Sequence, residues 1–433
     1  MNIYIHIPFC AKKCHYCYYY SLVPRNQNVI DQYLLYLKKE FKIKSKRFDL
    51  IVRNDINTVY IGGGTPNYLS AKQFKKLFNA LNRYINLSNL KEFTVEMDPA
   101  FCTKSQLNFL KKNGVTRLSF GIQTLNKKIL KAVNRHFDDD PARVILFAKK
   151  LGFEINLDFI LGLPYQTIAD VKRSLDFVEK IKPDSSFWCE LRIGTPIMRK
   201  MQSRLPSHKK VVIMHQLVKK TCRKWGYHQI FPEYFSLKKE LPLYLNNWWT
   251  SNQSLGFGLA AFSKINNRFV KNTSDLQAYY HFLEQNKLPI FYIYKLDKES
   301  EALIHMLSSL RKGSADLNYF QKKFKVDLER TLLNDKIKQL KKQSYLKYSQ
   351  KKIILTNKGF SISSPVSKLL LRKKEYLGKL MDTAFNHFDG ESSLKRFIYK
   401  NFFILGKKDE KEDIIFISPD RKNSGIMNNR IDN

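Results

Sequence analysis

The sequence lacks any run of about 18 uncharged apolar residues, so no stretch of it is suited to cross a membrane as a helix. Its first ten residues, MNIYIHIPFC, carry neither a basic leader nor a long apolar stretch. A secretory signal is therefore not expected, and a cytoplasmic location is. Acid is scarce, with 38 Asp and Glu against 76 Lys and Arg, a formal net charge of +38. The bases are spread along the whole chain, and no nucleic-acid-binding motif accompanies them. The charge reads as solvating surface, and as attraction for anionic small molecules or an acidic partner, rather than as a nucleic-acid footprint. Apolar side chains are plentiful at 43% of the 433 residues, enough for two or three domains of about 150 residues each.

Cysteine is scarce as well, and its placement is informative. Three of the six fall within eight residues, Cys10, Cys14 and Cys17, in the pattern C-x3-C-x2-C. The others, Cys102, Cys189 and Cys222, are scattered and read as small buried hydrophobes. A disulfide framework fits the cluster poorly, because three thiols in one short loop leave one over. Structural zinc asks for four closed ligands, and the adjacent His15 follows Cys14 too closely to join it. An iron–sulfur cluster fits better. Four thiolates normally saturate a [4Fe–4S] cube, and three leave one iron open for a chelating small molecule.

Further along, apolar strands repeatedly run into Gly, Pro or a carboxylate: Thr58 to Gly62-Gly63-Gly64-Thr65-Pro66, Phe93 to Glu96-Met97-Asp98-Pro99, Arg117 to Gly121-Ile122-Gln123, and Ile155 to Asp158 and Gly162-Leu163-Pro164. Between them lie amphipathic helical stretches over 29–48, 71–84, 104–113, 126–133, 141–152 and 168–181. Regular β–α alternation predicts a parallel sheet with helices outside, and candidate residues gathered at strand ends predict the C-terminal face of a barrel. His6 is expected to pack beneath the cysteine loop.

These motifs, from Tyr4-Ile5-His6-Ile7-Pro8-Phe9-Cys10 onward, resemble the radical S-adenosylmethionine (SAM) enzymes. The similarity is to the branch holding oxygen-independent coproporphyrinogen III oxidase and the related heme chaperone. It covers residues 2 to about 192 as an incomplete six-unit (β/α) barrel. The resemblance implies a [4Fe–4S] cluster on Cys10, Cys14 and Cys17 whose open iron is chelated by SAM, and reductive cleavage of SAM to a 5′-deoxyadenosyl radical. It places Gly63, Gly64 and Thr65 at the methionyl amino group, with Tyr4 nearby. It assigns Glu96 to the ribose, makes Gln123 and Arg135 cofactor-facing, and has Asp158 bind or support the cofactor. An electron donor of flavodoxin or ferredoxin type is implied as a partner.

The expected architecture is a partial (β/α)6 TIM-like barrel over 1–200, its family-specific completion over 201–295, and a small winged-helix-like unit over 296–366. A basic helical extension and disordered tail are expected over 367–433. Two features point within the family toward the chaperone. The oxidases carry a further cysteine where Tyr19 stands, and they have a longer chain before the cluster. The chaperone's heme motif His-Asn-x-x-Tyr-Trp corresponds to Tyr244-Leu245-Asn246-Asn247-Trp248-Trp249, with Tyr244 in place of the His. Heme, or a heme-receiving protein, stays open as a partner because a phenolate can ligate heme iron. His208, His215 and His228 are read as solvent-facing or core-satisfied histidines. True coproporphyrinogen oxidation, methylation of a small metabolite, and heme binding without turnover are the alternatives.

Overall fold

Apolar and polar residues alternate along the early strands with period two, so each strand offers one apolar face and one polar face. The computed structural model describes residues 1–135, 137, 139–250, 253–326, 334–349, 351–361 and 414–416. Within it, β1 (Asn2–Ile7), β2 (Thr58–Gly63), β3 (Glu92–Met97), β4 (Arg117–Gln123), β5 (Glu154–Leu161) and β6 (Ser185–Glu190) pair in parallel and in chain order. The order never reverses, so right-handed crossovers place all the connecting helices on one face. That face carries Ile3, Ile5, Ile7, Val59, Ile61, Phe93, Val95, Leu118, Phe120, Ile155 and Leu157, which join the main core. The register aligns the other residues across the sheet: Tyr4 with Tyr60, Tyr60 with Thr94, Glu96 with Ser119, and Gly121 with Asp158. The face away from the helices is therefore polar, and it is the one that can hold a ligand.

The helices begin where local hydrogen-bond chemistry allows. Ser70 with Gln73, Thr103 with Gln106, and Thr167 with Asp170 form capping boxes that open α2 (Ala71–Tyr84), α3 (Lys104–Lys112) and α6 (Ile168–Ile181). The Asn26 side chain caps α1 (Gln27–Arg47), which starts two residues before the expected position. Two shorter helices, α4 (Lys127–Ala132) and α5 (Ala142–Lys150), bridge β4 to β5.

The sheet is open, as expected of a partial barrel. Beyond β6 it continues into a hairpin of β7 (His228–Phe231) and β8 (Tyr234–Ser236), preceded by α7 (Pro196–Lys200) and α8 (His208–Lys224). At the other edge, β9 (Gln253–Phe257) adds in parallel to β1, followed by antiparallel β10 (Phe262–Ile265), β11 (Arg268–Asn272) and β12 (Ile290–Lys295). Helix α10 (Leu276–Glu284) joins the last two.

The edge is tied to α1 by one buried carboxylate. Glu40 accepts hydrogen bonds from Lys44 Nζ (2.6 Å), Asn272 Nδ2 (2.8 Å), Gly258 N (2.7 Å) and the Tyr279 hydroxyl (2.7 Å). Lys44 in turn donates to the Gly256 carbonyl at 2.5 Å. Gly258 has φ +96°, and a Cβ there would lie 2.7 Å from the His6 carbonyl, so this turn requires glycine.

A second, smaller core follows. Helices α11 (Lys298–Arg311), α12 (Leu317–Phe324) and Asn334–Lys342 pack on a three-stranded antiparallel sheet of Ser314–Asp316, Lys352–Leu355 and Leu346–Ser349. Helices against a β-hairpin match the expected winged-helix-like unit. Apart from 414–416, the helical extension and tail expected over 367–433 lie outside the described residues. Residues 414–416 were expected to be disordered chain; instead they pair antiparallel with β12 as an edge strand. Among the described residues, no helix is long and apolar enough to cross a membrane.

Replacing Glu40 with Ala would leave the Lys44 ammonium buried without its counter-charge. The expected cost is about 3–5 kcal/mol of folding stability, read as a lowered urea midpoint. An unchanged midpoint would show that this knot does not hold α1 to the sheet.

Candidate functional site

The eleven residues predicted to hold the cluster and SAM stand on β1 to β5, or in the segments that follow their C-terminal ends. The cysteine loop leaves β1. Cys10 N donates to the Leu22 carbonyl and Leu22 N to Pro8, which closes the loop on itself. Its middle is braced by His15 N on the Val133 carbonyl (2.9 Å), Asn134 Nδ2 on the Lys13 carbonyl (2.9 Å), and Thr195 Oγ1 on the His15 carbonyl (2.5 Å). Cys10, Cys14 and Cys17 are free and half-buried. Burial raises the Cys10 thiol and pushes Cys17 up to about 12. Among the described residues, no three His, Cys, Asp or Glu side chains converge as one metal ion requires.

The glycine loop after β2 lies directly against the cysteines. Gly64 N donates to the Ile7 carbonyl (2.8 Å), Thr65 N to Phe9 (2.8 Å), and Thr65 Oγ1 to Cys10 Sγ (3.4 Å). A Cβ on Gly64 would sit 2.6 Å from the Phe9 oxygen and 3.0 Å from Cys10 Sγ, so only glycine permits this approach. A Cβ on Gly63, which has φ +116°, would lie 2.7 Å from the His6 ring.

His6 is buried beneath the loop, as expected. Burial lowers it to about 4, partly offset by its bond to the Tyr20 carbonyl. A carbonyl can only accept, so Nε2 carries the proton and donates to Tyr20 at 3.0 Å. Nδ1 then accepts from the Tyr4 hydroxyl at 3.0 Å. Tyr4 is thereby fixed pointing along the polar face.

The carboxylates follow in order. Glu96 accepts from the Tyr60 hydroxyl (2.7 Å) and Gly63 N (3.0 Å). Desolvation raises it to about 7 against those two bonds, with Asp158 adding to the rise and Arg117 opposing it. Asp158 accepts from Ser119 Oγ (2.8 Å) and Asn156 Nδ2 (2.7 Å), and burial raises it too. Gln123 ends β4 with φ +66°, and a Cβ on Gly121 would lie 2.9 Å from its Nε2 and 3.2 Å from Arg135 Nη2. Arg135 donates to the Gly121 carbonyl (2.6 Å) and pairs with Asp98 (3.0 Å). Desolvation works against its charge, but Tyr16, Asp98 and the Cys14 thiol outweigh it, so it stays a cation. Its Nε and the Tyr16 hydroxyl are buried without hydrogen-bond partners. The structure thus brings the eleven predicted residues to the polar face of the sheet and to the segments that follow the C-terminal ends of its strands.

Several contributors were not singled out from the sequence. Tyr60, Ser119 and Asn156 each bond a carboxylate, and Asp98 pairs with Arg135. The period-two register could have found Tyr60 and Ser119, which share the face of Gly62 and Gly121. Arg117 is buried at the start of β4, its Nε 3.5 Å from Glu154 Oε1.

Tyr244 departs from its expected use. It lies on α9 (Leu243–Thr250), whose bonds reach Asn2, Asn57 and Glu92, residues at or before the N-terminal ends of β1, β2 and β3. Its ring is 7% exposed and stacks on Tyr60 at 4.6 Å. Burial, then Glu96 and Glu92, drive the phenol well above its usual range. It is a floor to the polar face, and the phenolate that iron ligation needs is disfavoured there. The structure does not bring His208, His215 and His228 together as a ligand set: His208 and His228 are exposed, and His215 faces Glu190 at 3.8 Å. Cys102 and Cys222 are buried, while Cys189 packs beside Ile160, Leu163 and Tyr16.

Comparison with known proteins agrees with this geometry. Residues 4–178 match the model of the radical SAM superfamily. The chain is 30% identical over 378 residues to the heme chaperone HemW of Lactococcus lactis, spanning 86% of this chain and 97% of that one. It is 29% identical to HemW of Bacillus subtilis, covering 84% and 97%. To the oxygen-independent coproporphyrinogen III oxidase of Escherichia coli it is 30% identical, covering 66% of each chain. The solved structure of that organism's coproporphyrinogen III oxidase HemN superposes with a TM-score of 0.77 at 24% identity, over 85% of this chain and 89% of the other. The chain belongs to the radical SAM superfamily, in the family of the heme chaperone HemW and oxygen-independent coproporphyrinogen III oxidase.

Proposed function

We propose that this chain carries a [4Fe–4S] cluster on Cys10, Cys14 and Cys17, binds SAM beside it and cleaves it reductively, and serves in a heme chaperone-like role. What carries the cofactor reading is the convergence of a three-thiol loop, a glycine cradle and two half-buried carboxylates on the polar face of the sheet. A cube spreads its ligands over separate irons, so it does not ask the thiols to meet at one point. The orphaned Arg135 Nε and Tyr16 hydroxyl beside Cys14 are donors that a polar ligand would satisfy.

When bound, the reduced cluster supplies the electron that breaks a carbon–sulfur bond of SAM. The protein's own residues do the rest. Thr65 holds Cys10, while Gly63 and Gly64 let the backbone approach the methionyl end. Tyr4, oriented by His6, closes that side. Glu96 keeps lone pairs for the ribose hydroxyls, and Asp158 is held in place by Ser119 and Asn156. Arg135 and Gln123 line the rim at β4, and the floor of Tyr60 and Tyr244 excludes water from below.

The chaperone-like role is favoured over oxidation by two observations. The chain spans 97% of the L. lactis and B. subtilis HemW chains but 66% of the E. coli oxidase, and Tyr19 stands where the oxidases carry a further cysteine. If heme binds, its iron is held by a side chain other than Tyr244.

Anaerobic reconstitution with iron and sulfide is expected to give a brown protein that releases 5′-deoxyadenosine with SAM and dithionite. Cys14→Ala should lose both properties, and retained cleavage in that variant would refute the cluster assignment. With heme added, the wild type should keep a Soret band through gel filtration, and Tyr244→Phe should keep it equally. Loss of propionate carboxylates from coproporphyrinogen III would instead make the chain an oxidase.

Because Glu96 titrates near 7, its carboxylate form is lost as pH falls through that value. SAM affinity should therefore weaken below about pH 7. Glu96→Gln should bind about tenfold more weakly at pH 8, the size expected for losing a charge-assisted hydrogen bond, and should lose the pH dependence. Equal pH profiles for the two proteins would remove Glu96 from the SAM site.

A further inference from the structure

Four rings stand in line from the polar face toward the opposite end of the strands. Tyr4 lies 6.1 Å from Tyr60, Tyr60 4.6 Å from Tyr244, and Tyr244 6.5 Å from Trp248, each pair stacked within 28°. Tyr244 and Trp248 share one side of α9, at i and i+4. Phenylalanine would fill this space as well, but three of the rings are phenols and the last is an indole. Those are the aromatic side chains that give up an electron. Each phenol on the polar face also has a base within hydrogen-bond reach, a distance that a proton can cross. The Tyr4 hydroxyl is 3.0 Å from His6 Nδ1, and the Tyr60 hydroxyl 2.7 Å from Glu96 Oε1. Tyr60 is half-buried and lines the face, Tyr244 is buried behind it, and Trp248 is half-buried again. The line therefore starts at the site and ends where solvent is reached.

We propose that Tyr60, Tyr244 and Trp248, with Tyr4 stacked at their head, carry an oxidising equivalent away from the polar face and so spare the cysteine loop when a radical formed there meets no substrate. The inference rests on the functional reading above for its oxidant, a primary alkyl radical. That radical takes the hydrogen atom of the Tyr60 hydroxyl: a C–H bond forms, the O–H bond breaks, and a phenoxyl radical is left. One electron then passes from Trp248 through the Tyr244 ring to the phenoxyl. Glu96 hands Tyr60 a proton drawn from water, and the oxidised indole releases its N–H proton to water. The sum moves one hydrogen atom from Trp248 to the alkyl radical, and Tyr60, Tyr244 and Glu96 end unchanged.

The test is electron paramagnetic resonance of the reconstituted full chain, reduced, freed of excess dithionite, mixed with SAM alone and frozen rapidly. Signals are normalised to the 5′-deoxyadenosine released. The wild type is expected to show an indolyl radical, recognised by its narrowing when the tryptophans are ring-deuterated. Trp248→Phe should lose it and show a phenoxyl signal instead, and Tyr60→Phe should lose most of it. Tyr280→Phe, in a separate stack with Tyr36 in the helix-side core, should leave it unchanged. An indolyl signal that survives Trp248→Phe or Tyr60→Phe, or no protein radical in a wild type that cleaves SAM, would overturn the inference. If SAM is not cleaved, the functional reading falls and the path is scored alone. A ruthenium photo-oxidant on Cys14 of the apoprotein, in a Cys10→Ser, Cys17→Ser, Cys189→Ser background, should then raise the indolyl absorbance after a flash. Tyr60→Phe should slow that rise, and equal rates would overturn the path.

Discussion

The structure depends on a two-residue period carried through six parallel strands in register. Because side chains alternate across a strand, one set of residues faces the helices and the other faces away. In this chain the first set is Ile, Val, Leu and Phe, and the second is Tyr, Glu, Ser, Asn, Asp and Gly. Burial of the apolar set against the helices supplies the folding drive. The polar set is left to a face that must satisfy its own hydrogen bonds. Slipping one strand by one residue would exchange the two sets and destroy both the core and the site.

The polar face meets that demand by pairing its groups with one another. Tyr60 and Gly63 serve Glu96, Ser119 and Asn156 serve Asp158, and Asp98 and the Gly121 carbonyl serve Arg135. The few atoms left over, Arg135 Nε and the Tyr16 hydroxyl, sit beside Cys14, where the proposed cofactors would lie. Burial brings Glu96 up to about 7, while Arg135 stays cationic and paired with Asp98. The same β1 that launches the cysteine loop carries Tyr4 and His6, which couples the loop end at Tyr20 to the floor of the site.

Much of this was legible from the sequence, because its signals are local. Helices 71–84 and 168–181 are found at the expected bounds, each opened by a capping box whose residues lie three apart. The cysteine spacing marked three of the eleven candidate residues, and the family resemblance assigned the other eight, most of them on or just after the strands. What could not be read depends on long-range pairing. Glu40 meets Gly258, Asn272 and Tyr279 across more than two hundred residues, and nothing near Glu40 announces it. Tyr244 was aligned to a heme motif by position, but the helix that carries it is held at the opposite end of the strands by Asn2 and Glu92. Residues 414–416 join an edge strand over a hundred residues earlier in the chain, a pairing that composition alone hides.

The central claim is that three thiolates leave one iron for SAM at this face. Its most direct test is electron paramagnetic resonance of the reduced, reconstituted protein before and after adding SAM with a 15N-labelled amino group. Ligation at the open iron predicts a changed spectrum and a 15N coupling in electron–nuclear double resonance. A spectrum that SAM leaves unaltered, with no nitrogen coupling, would contradict it.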